Sequence, residues 1–215
     1  MALHQVPRLI LASASPARLR VLRDAGFDPE VAVSGVSEEI GDDIETARAV
    51  VTLADRKGSA VSTRFPESLV LACDSLLDLR GVALGKPSTP AEAMHMWGRL
   101  SGNQGTLHTG HCLIDTRTNR RVLRLASTSV RFGRPSEAEL SAYVASGEPM
   151  ALAGAFSIDG LAAPFVEGID GDASNVLGLS LPLLRKMLNE VGVAITDLWK
   201  GAATRSGVID GGGPK

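Results

Sequence analysis

Short apolar runs alternate along the chain with stretches in which apolar positions recur every three or four residues, the pattern of strands interleaved with amphipathic helices. Leu9 to Ala12 reads as a buried strand. It breaks at Ser13-Ala14-Ser15 and is followed by a helix from Pro16 to Ala25 with Leu19, Val21 and Leu22 as its apolar positions. Ser15 is the expected N-cap, Pro16 the first helical residue and Gly26 the stop. A second strand is expected around Pro29 to Val33, then an acidic stretch from Ser37 to Asp43. Ala47, Val50, Val51, Ala54 and Val61 next mark one side of a helix over about 46–62, which carries Lys57.

Leu69 to Ala72 is another short apolar run, expected to end as a strand at Cys73-Asp74-Ser75, and Arg80-Gly81 reads as a hairpin turn leading to Gly85-Lys86-Pro87. Thr89-Pro90-Ala91-Glu92 has the spacing of a capping box and opens a helix running to Leu100. Two longer strands, about 106–115 and 122–132, precede a second capping box at Ser136 and Glu139, whose helix ends at Gly147. Residues 151–179 are glycine-rich with short apolar runs, which predicts strands and turns, and a last helix is expected from Pro182 to Val191. The pattern predicts an α/β fold with a mixed sheet and flanking helices, one domain over residues 1–200 and a disordered tail over 201–215.

Composition narrows the function classes. A net charge of −2 over 215 residues, with 4% aromatics, argues against a nucleic-acid partner, since no basic stripe with interleaved stacking residues is present. No run reaches the ~18 apolar residues of a membrane span, and the N-terminal apolar run is too short for a secretory signal. Cys73 and Cys112 sit apart inside apolar runs, which reads as buried free thiols in a reducing, cytoplasmic setting.

Any anion site must then be local. A strand that stops at a Ser-x-Ser turn and feeds a helix aims free N–H groups and a positive dipole end at one point, where the Ser13 and Ser15 hydroxyls and the Arg18 guanidinium add donors. The bland alternative is a plain N-cap with a solvated arginine. Asp74, read as the end of a buried strand, has the position to hold Mg²⁺ or to deprotonate a water, or merely to cap a turn. Lys86 and Lys57 supply cations, and Glu38 and Glu39 carboxylates. Together these groups meet the needs of phosphoanhydride hydrolysis: charge neutralisation, a divalent ion and a general base. The four histidines lack zinc-site spacing, and no G-x-S-x-G or Cys/His pair signals a nucleophile.

In order, LASASPARLRVL (11–22), LADRKGSAV (53–61), ACDSLL (72–77), GKP (85–87), LSGNQGTLHTGHCLI (100–114), GEPMALAGAFSIDG (147–160) and NVLGLSLPLLRKML (175–188) resemble the Maf, or septum-formation-inhibitor-like, nucleotide pyrophosphatase family over about residues 8–192. The resemblance implies a fold related to the inosine-triphosphate pyrophosphatases, with two lobes around a central cleft. It implies hydrolysis of nucleoside triphosphates to monophosphate and pyrophosphate with Mg²⁺ or Mn²⁺, in a homodimer. Asp74 falls on the family's general base and metal ligand and Glu38 on its early acidic metal ligand. Ser13, Ser15, Arg18, Lys57 and Lys86 fall on its phosphate-binding positions. Ala17, Ser75 and Asp159 stand where members selective for dTTP and UTP carry arginine, threonine and glutamine, so these specificity positions depart from that subgroup. The alternative reading of the same chain is a nucleotide-binding regulator of cell division without turnover.

Overall fold

The computed structural model describes residues 7–39 and 44–200; the tail over 201–215 and the end of the acidic stretch, 40–43, lie outside the described residues. Among the described residues it is a mixed α/β structure built on one seven-stranded sheet. β1 (Arg8–Leu11) runs parallel to both β2 (Glu30–Val31) and β3 (Ser68–Leu79). From β3 the sheet continues antiparallel through β5 (Gln104–Asp115), β6 (Arg120–Phe132) and β7 (Val166–Asp170), and β4 (Val82–Leu84) pairs with the far end of β3. The helices are α1 (Pro16–Asp24), α2 (Thr46–Ser62), α3 (Pro90–Leu100), α4 (Glu137–Ala145), α5 (Ala173–Val176) and α6 (Leu181–Glu190).

β3 corrects one expectation. The strand does not end at Cys73-Asp74-Ser75; it runs twelve residues to Leu79, and Asp74 lies in its middle. The physical reason is continuous pairing with β5 from Leu69 to Asp78, since a backbone ladder is indifferent to a polar side chain that faces a cavity. On one face of the sheet the long strands cross two packing regions. Leu69, Leu71, Cys73, Leu113 and Val122 join Leu22, Leu184 and Leu188 in one core, whereas Leu77, Leu79, Leu107, Val130 and Phe132 join Trp97, Tyr143 and Phe156 in another. Ser75 falls at the waist between the two, whereas Asp74 points to the opposite face, where Ile10, Ala54, Val70, Ala72, Cys112 and Ile114 form a third core.

α2 lies close on the sheet, and glycine allows it. A Cβ at Gly110 of β5 would lie 2.2 Å from the Val50 carbonyl oxygen, and one at Gly58 of α2 would lie 2.7 Å from Cys112 Sγ. The buried stripe is Ala49, Val50, Leu53, Ala54, Gly58 and Val61. The expected Ala47 and Val51 are only half-buried, because the contact is centred on the glycine rather than on the largest apolar residues.

Local signals held at the helix ends with one change. Ser136 and Glu139 form a reciprocal capping box. At α3 Thr89 accepts from the Glu92 N–H, but the Glu92 carboxylate accepts from the N–H and hydroxyl of Ser88, one residue earlier than the box requires. Residues 151–179 hold mostly 3-10 turns and the short α5, with β7 as the only strand there; Gly154 at φ 68° and Ala155 at φ 58° keep the chain turning instead of extending.

Gly110→Ala is expected to destabilise the protein by about 3 kcal/mol, the upper end of overpacking costs, because the obstructing atom is backbone. A urea midpoint unchanged from the wild type would contradict this account of the α2 docking.

Candidate active site

The cleft exists because the sheet is locally incomplete. The β1–β3 ladder ends at Leu11 and Leu71, sealed by the Ala12 N–H on the Leu71 carbonyl at 2.8 Å, and β4 joins the same side of β3 only from Leu77. Between them, residues 72–76 of β3 pair with β5 alone. A cleft of about 800 Å³ opens there, lined by the turn from Ser13 to Arg18, Glu38, Lys57, Asp74, Ser75, Gly85, Lys86, the segment around Leu152 and Ser157, and Gly178. Of the positions singled out from sequence, Ser13, Ser15, Ala17, Arg18, Glu38, Lys57, Asp74, Ser75 and Lys86 all line it.

Strand alternation sorts the two polar residues of the waist. Asp74 lies opposite Gly110 in the ladder, on the face that α2 covers, and Ser75 lies opposite Thr109 on the other face. α2 therefore delivers Lys57 to Asp74. The ammonium donates to Asp74 Oδ1 at 2.5 Å and lies 2.6 Å from Glu38 Oε1. The Lys57 and Asp74 side chains are each 9% exposed, so removing one would leave the other charge poorly solvated. Glu38, 63% exposed, projects from a loop held by Arg56 of α2, which donates to the Glu39 carbonyl, and by Arg64 just beyond that helix, which donates to that of Val33. Its carboxyl is held below the usual carboxylate range, first by the hydrogen bond from Lys57 and then by the charges of Lys57, Lys86 and Arg18, against the opposing effect of burial. The Lys57 ammonium, expected from sequence to neutralise phosphate, is buried and held where two carboxylates converge. Lys86 is exposed at the cleft wall.

The serine turn behaves as a cap and more. Ser15 Oγ accepts from the Arg18 N–H at 3.4 Å, and Ser13 Oγ accepts from the Ser15 N–H at 3.2 Å. In both hydroxyls the bond uses a lone pair and leaves the proton to donate elsewhere. The Arg18 guanidinium donates to the Gly178 carbonyl (2.8 Å), Ser13 Oγ (3.2 Å) and Ser75 Oγ (2.9 Å). It ties the turn, β3 and the loop before α6 together.

Asp159 and Glu39 are the expected residues that do not line the cleft. Asp159 accepts from Arg20 of α1 and from Ser157, a residue that does line the cleft, so the carboxylate bridges α1 and the opposite wall. That wall is fixed from behind: Trp97 Nε1 donates to the Ala155 carbonyl at 2.9 Å and Tyr143 OH to the same oxygen at 3.1 Å. Sequence reasoning missed Arg20, Thr109, His111 and Asn175. Thr109 Oγ1 bonds Ser75 Oγ at 3.0 Å, the Asn175 amide donates to the Leu107 carbonyl and Thr128 Oγ1, and His111 joins β5 to the start of α6. For Thr109 and His111 the available signal was polar residues at alternate positions in an apolar strand, whose partners are remote in sequence.

Cys73 and Cys112 are free and buried. Burial pushes both thiols up to about 12, and their one-residue offset across the β3–β5 ladder sends them to opposite faces, so they neither react nor pair. No described helix is long and apolar enough to cross a membrane.

Comparison with known proteins supplies the remaining finding. A family model described as Maf-like protein matches residues 8–191. The chain is similar to a protein of Streptomyces coelicolor named nucleoside triphosphate pyrophosphatase, 55% identical over 195 residues that cover 89% of this chain and 94% of the relative. Proteins of the same name in Salinispora tropica and Gloeothece citriformis are each 48% identical, the first covering 92% of this chain and 90% of the relative, the second 89% and 97%.

Burial drives the His111 imidazole down to about 4, with the Arg18 charge adding to it and the bond to the Thr109 carbonyl and the Asp172 charge opposing. Between that value and the ~6.5 of an unfolded chain the unfolded state binds the extra proton, so stability is unaffected above pH 6.5 and falls as pH drops towards 4. Half-buried His108 contributes with the same sign. The expected loss approaches roughly 3 kcal/mol. Urea midpoints at descending pH should fall in this window, and more weakly in His111→Gln; parallel curves would refute the assignment.

Proposed function

The chain belongs to the Maf family, and from that footing we propose that it hydrolyses nucleoside triphosphates at the α–β phosphoanhydride, giving nucleoside monophosphate and pyrophosphate. The observation that carries the reading is the convergence of Asp74, Glu38 and Lys57 across one cleft from the serine-lined start of α1. The polyphosphate lies along that turn, accepting from the Ser13 and Ser15 hydroxyls and from Lys86, with the helix dipole behind them. Arg18 holds the walls to which the phosphates bind.

The residues fit a hard divalent ion. Lys57 already places a positive charge where the two carboxylates meet. Glu38 and Asp74 would hold Mg²⁺ or Mn²⁺, an oxygen-only donor set whose other positions fall to phosphate and water. When bound, the ion supplies charge neutralisation on the phosphate oxygens. Asp74 orients a water and takes its proton on Oδ2, while Lys57 fixes Oδ1. The water oxygen bonds to the α-phosphorus, the bond to the bridging oxygen breaks, and pyrophosphate leaves with the electron pair. Lys57 and Lys86 oppose the charge that builds on the leaving group.

This reading assigns base selection to Ala17 and Ser75, which line the cleft, and to Asp159, which borders it. The same reading includes a cytoplasmic setting, supported by two free thiols, and a homodimer, which the family pattern suggests.

Purified protein with Mg²⁺ or Mn²⁺ is expected to release pyrophosphate from a panel of nucleoside triphosphates, and Asp74→Asn to lower kcat by about 10² or more. Orthophosphate as the product would overturn the reaction; saturable binding without turnover would favour the regulator instead.

A further inference from the structure

We propose that His111 is a positioning residue for the triphosphate site, acting at a distance through the loop that holds Arg18; the proposal rests on the hydrolase reading above. His111 lies in β5, fully buried, and touches none of the groups assigned to catalysis or phosphate binding. Its two ring nitrogens are committed in one sense. Nε2 lies 2.9 Å from the backbone N of Ser180, which can only donate, so Nε2 accepts. Nδ1 therefore carries the ring proton and donates to the Thr109 carbonyl at 3.0 Å.

Ser180 is the N-cap of α6, its Oγ accepting from the Leu183 N–H. Two residues earlier, Gly178 stands at φ 94°, where a Cβ would come within 3.2 Å of Arg18 Nε, and its carbonyl accepts the Nε–H of Arg18 at 2.8 Å. The position of that carbonyl sets the guanidinium, which in turn holds Ser13 and Ser75. His111 is thus the sheet's grip on a loop whose far end fixes the phosphate-binding wall. Without an acceptor at Nε2, the Ser180 N–H is buried and unpaired, and the loop moves to find another partner.

Two amides separate the ring's functions. In His111→Asn the amide reaches the place of Nδ1 and keeps the bond to Thr109, but nothing accepts from Ser180. In His111→Gln the amide oxygen reaches the place of Nε2 and keeps that bond. With the triphosphate that the wild type turns over fastest, His111→Asn should raise KM about ten-fold, the size of one lost buried hydrogen bond, with kcat changed less than about two-fold. His111→Gln should stay within about two-fold of the wild type in both. Exchange of the Arg18 Nε–H with solvent, followed by NMR without substrate, should speed up in Asn and not in Gln. Equal KM values for the two variants, or unchanged exchange, would overturn the proposal. If His111→Asn fails to fold, Gly178→Ala, which displaces the same carbonyl from the other side, must raise KM similarly, and an unchanged KM there is equally fatal. A wild type that releases no pyrophosphate sinks the hydrolase reading alone, since the exchange measurement needs no turnover.

Discussion

One ammonium group wedged between two carboxylates organises this molecule. Lys57 reaches Asp74 only because α2 lies so near the sheet, and α2 lies there only because Gly58 and Gly110 leave no side chain in the way. A buried ion pair is poor evidence for stability, since desolvation of both charges offsets most of their attraction. Its presence here is better understood as specificity: the pair fixes the rotamer of the acid on which the proposed chemistry turns, and draws in the loop carrying Glu38.

The sheet serves the site by being interrupted. β1 stops after Leu11 and β4 begins to pair at Leu77, so five residues of a central strand present an unpaired edge inside the protein. An open edge ordinarily invites unwanted pairing, but this one is covered by the serine turn and the Gly85-Lys86 loop. Because alternate residues point to opposite faces, the same edge presents Asp74 towards one layer of helices and Ser75 towards the other. Each layer contributes a cation to it, Lys57 from α2 and Arg18 from α1.

Much of this was legible beforehand, for reasons that can be named. Helix boundaries were clear where caps are local, as at Ser15, Thr89 and Ser136, and the residues lining the cleft were found because their chemistry is unusual for their setting. The strand through Asp74 was cut short because polarity was taken as a stop, when ladder bonds to β5 decide. The engaged states of Arg18 and Lys57 could not be read from the sequence, since their partners lie up to 160 positions away. His111 and Thr109 passed unnoticed because a buried polar residue in a strand shows its purpose only through what it touches.

The three long strands that run through both cores bear on how the cleft can move. Enzymes that close on their substrates commonly bend at a few residues joining otherwise separate bodies. Here the bodies share β3, β5 and β6, strands of twelve or thirteen residues, and flexing them at the waist would strain the β3–β5 and β5–β6 ladders together. The frame is therefore a rigid vice without a hinge, and accommodation of nucleotides of different size falls to its lips: the strap bearing Glu38, the Gly85-Lys86 corner and the Arg20–Asp159 clasp.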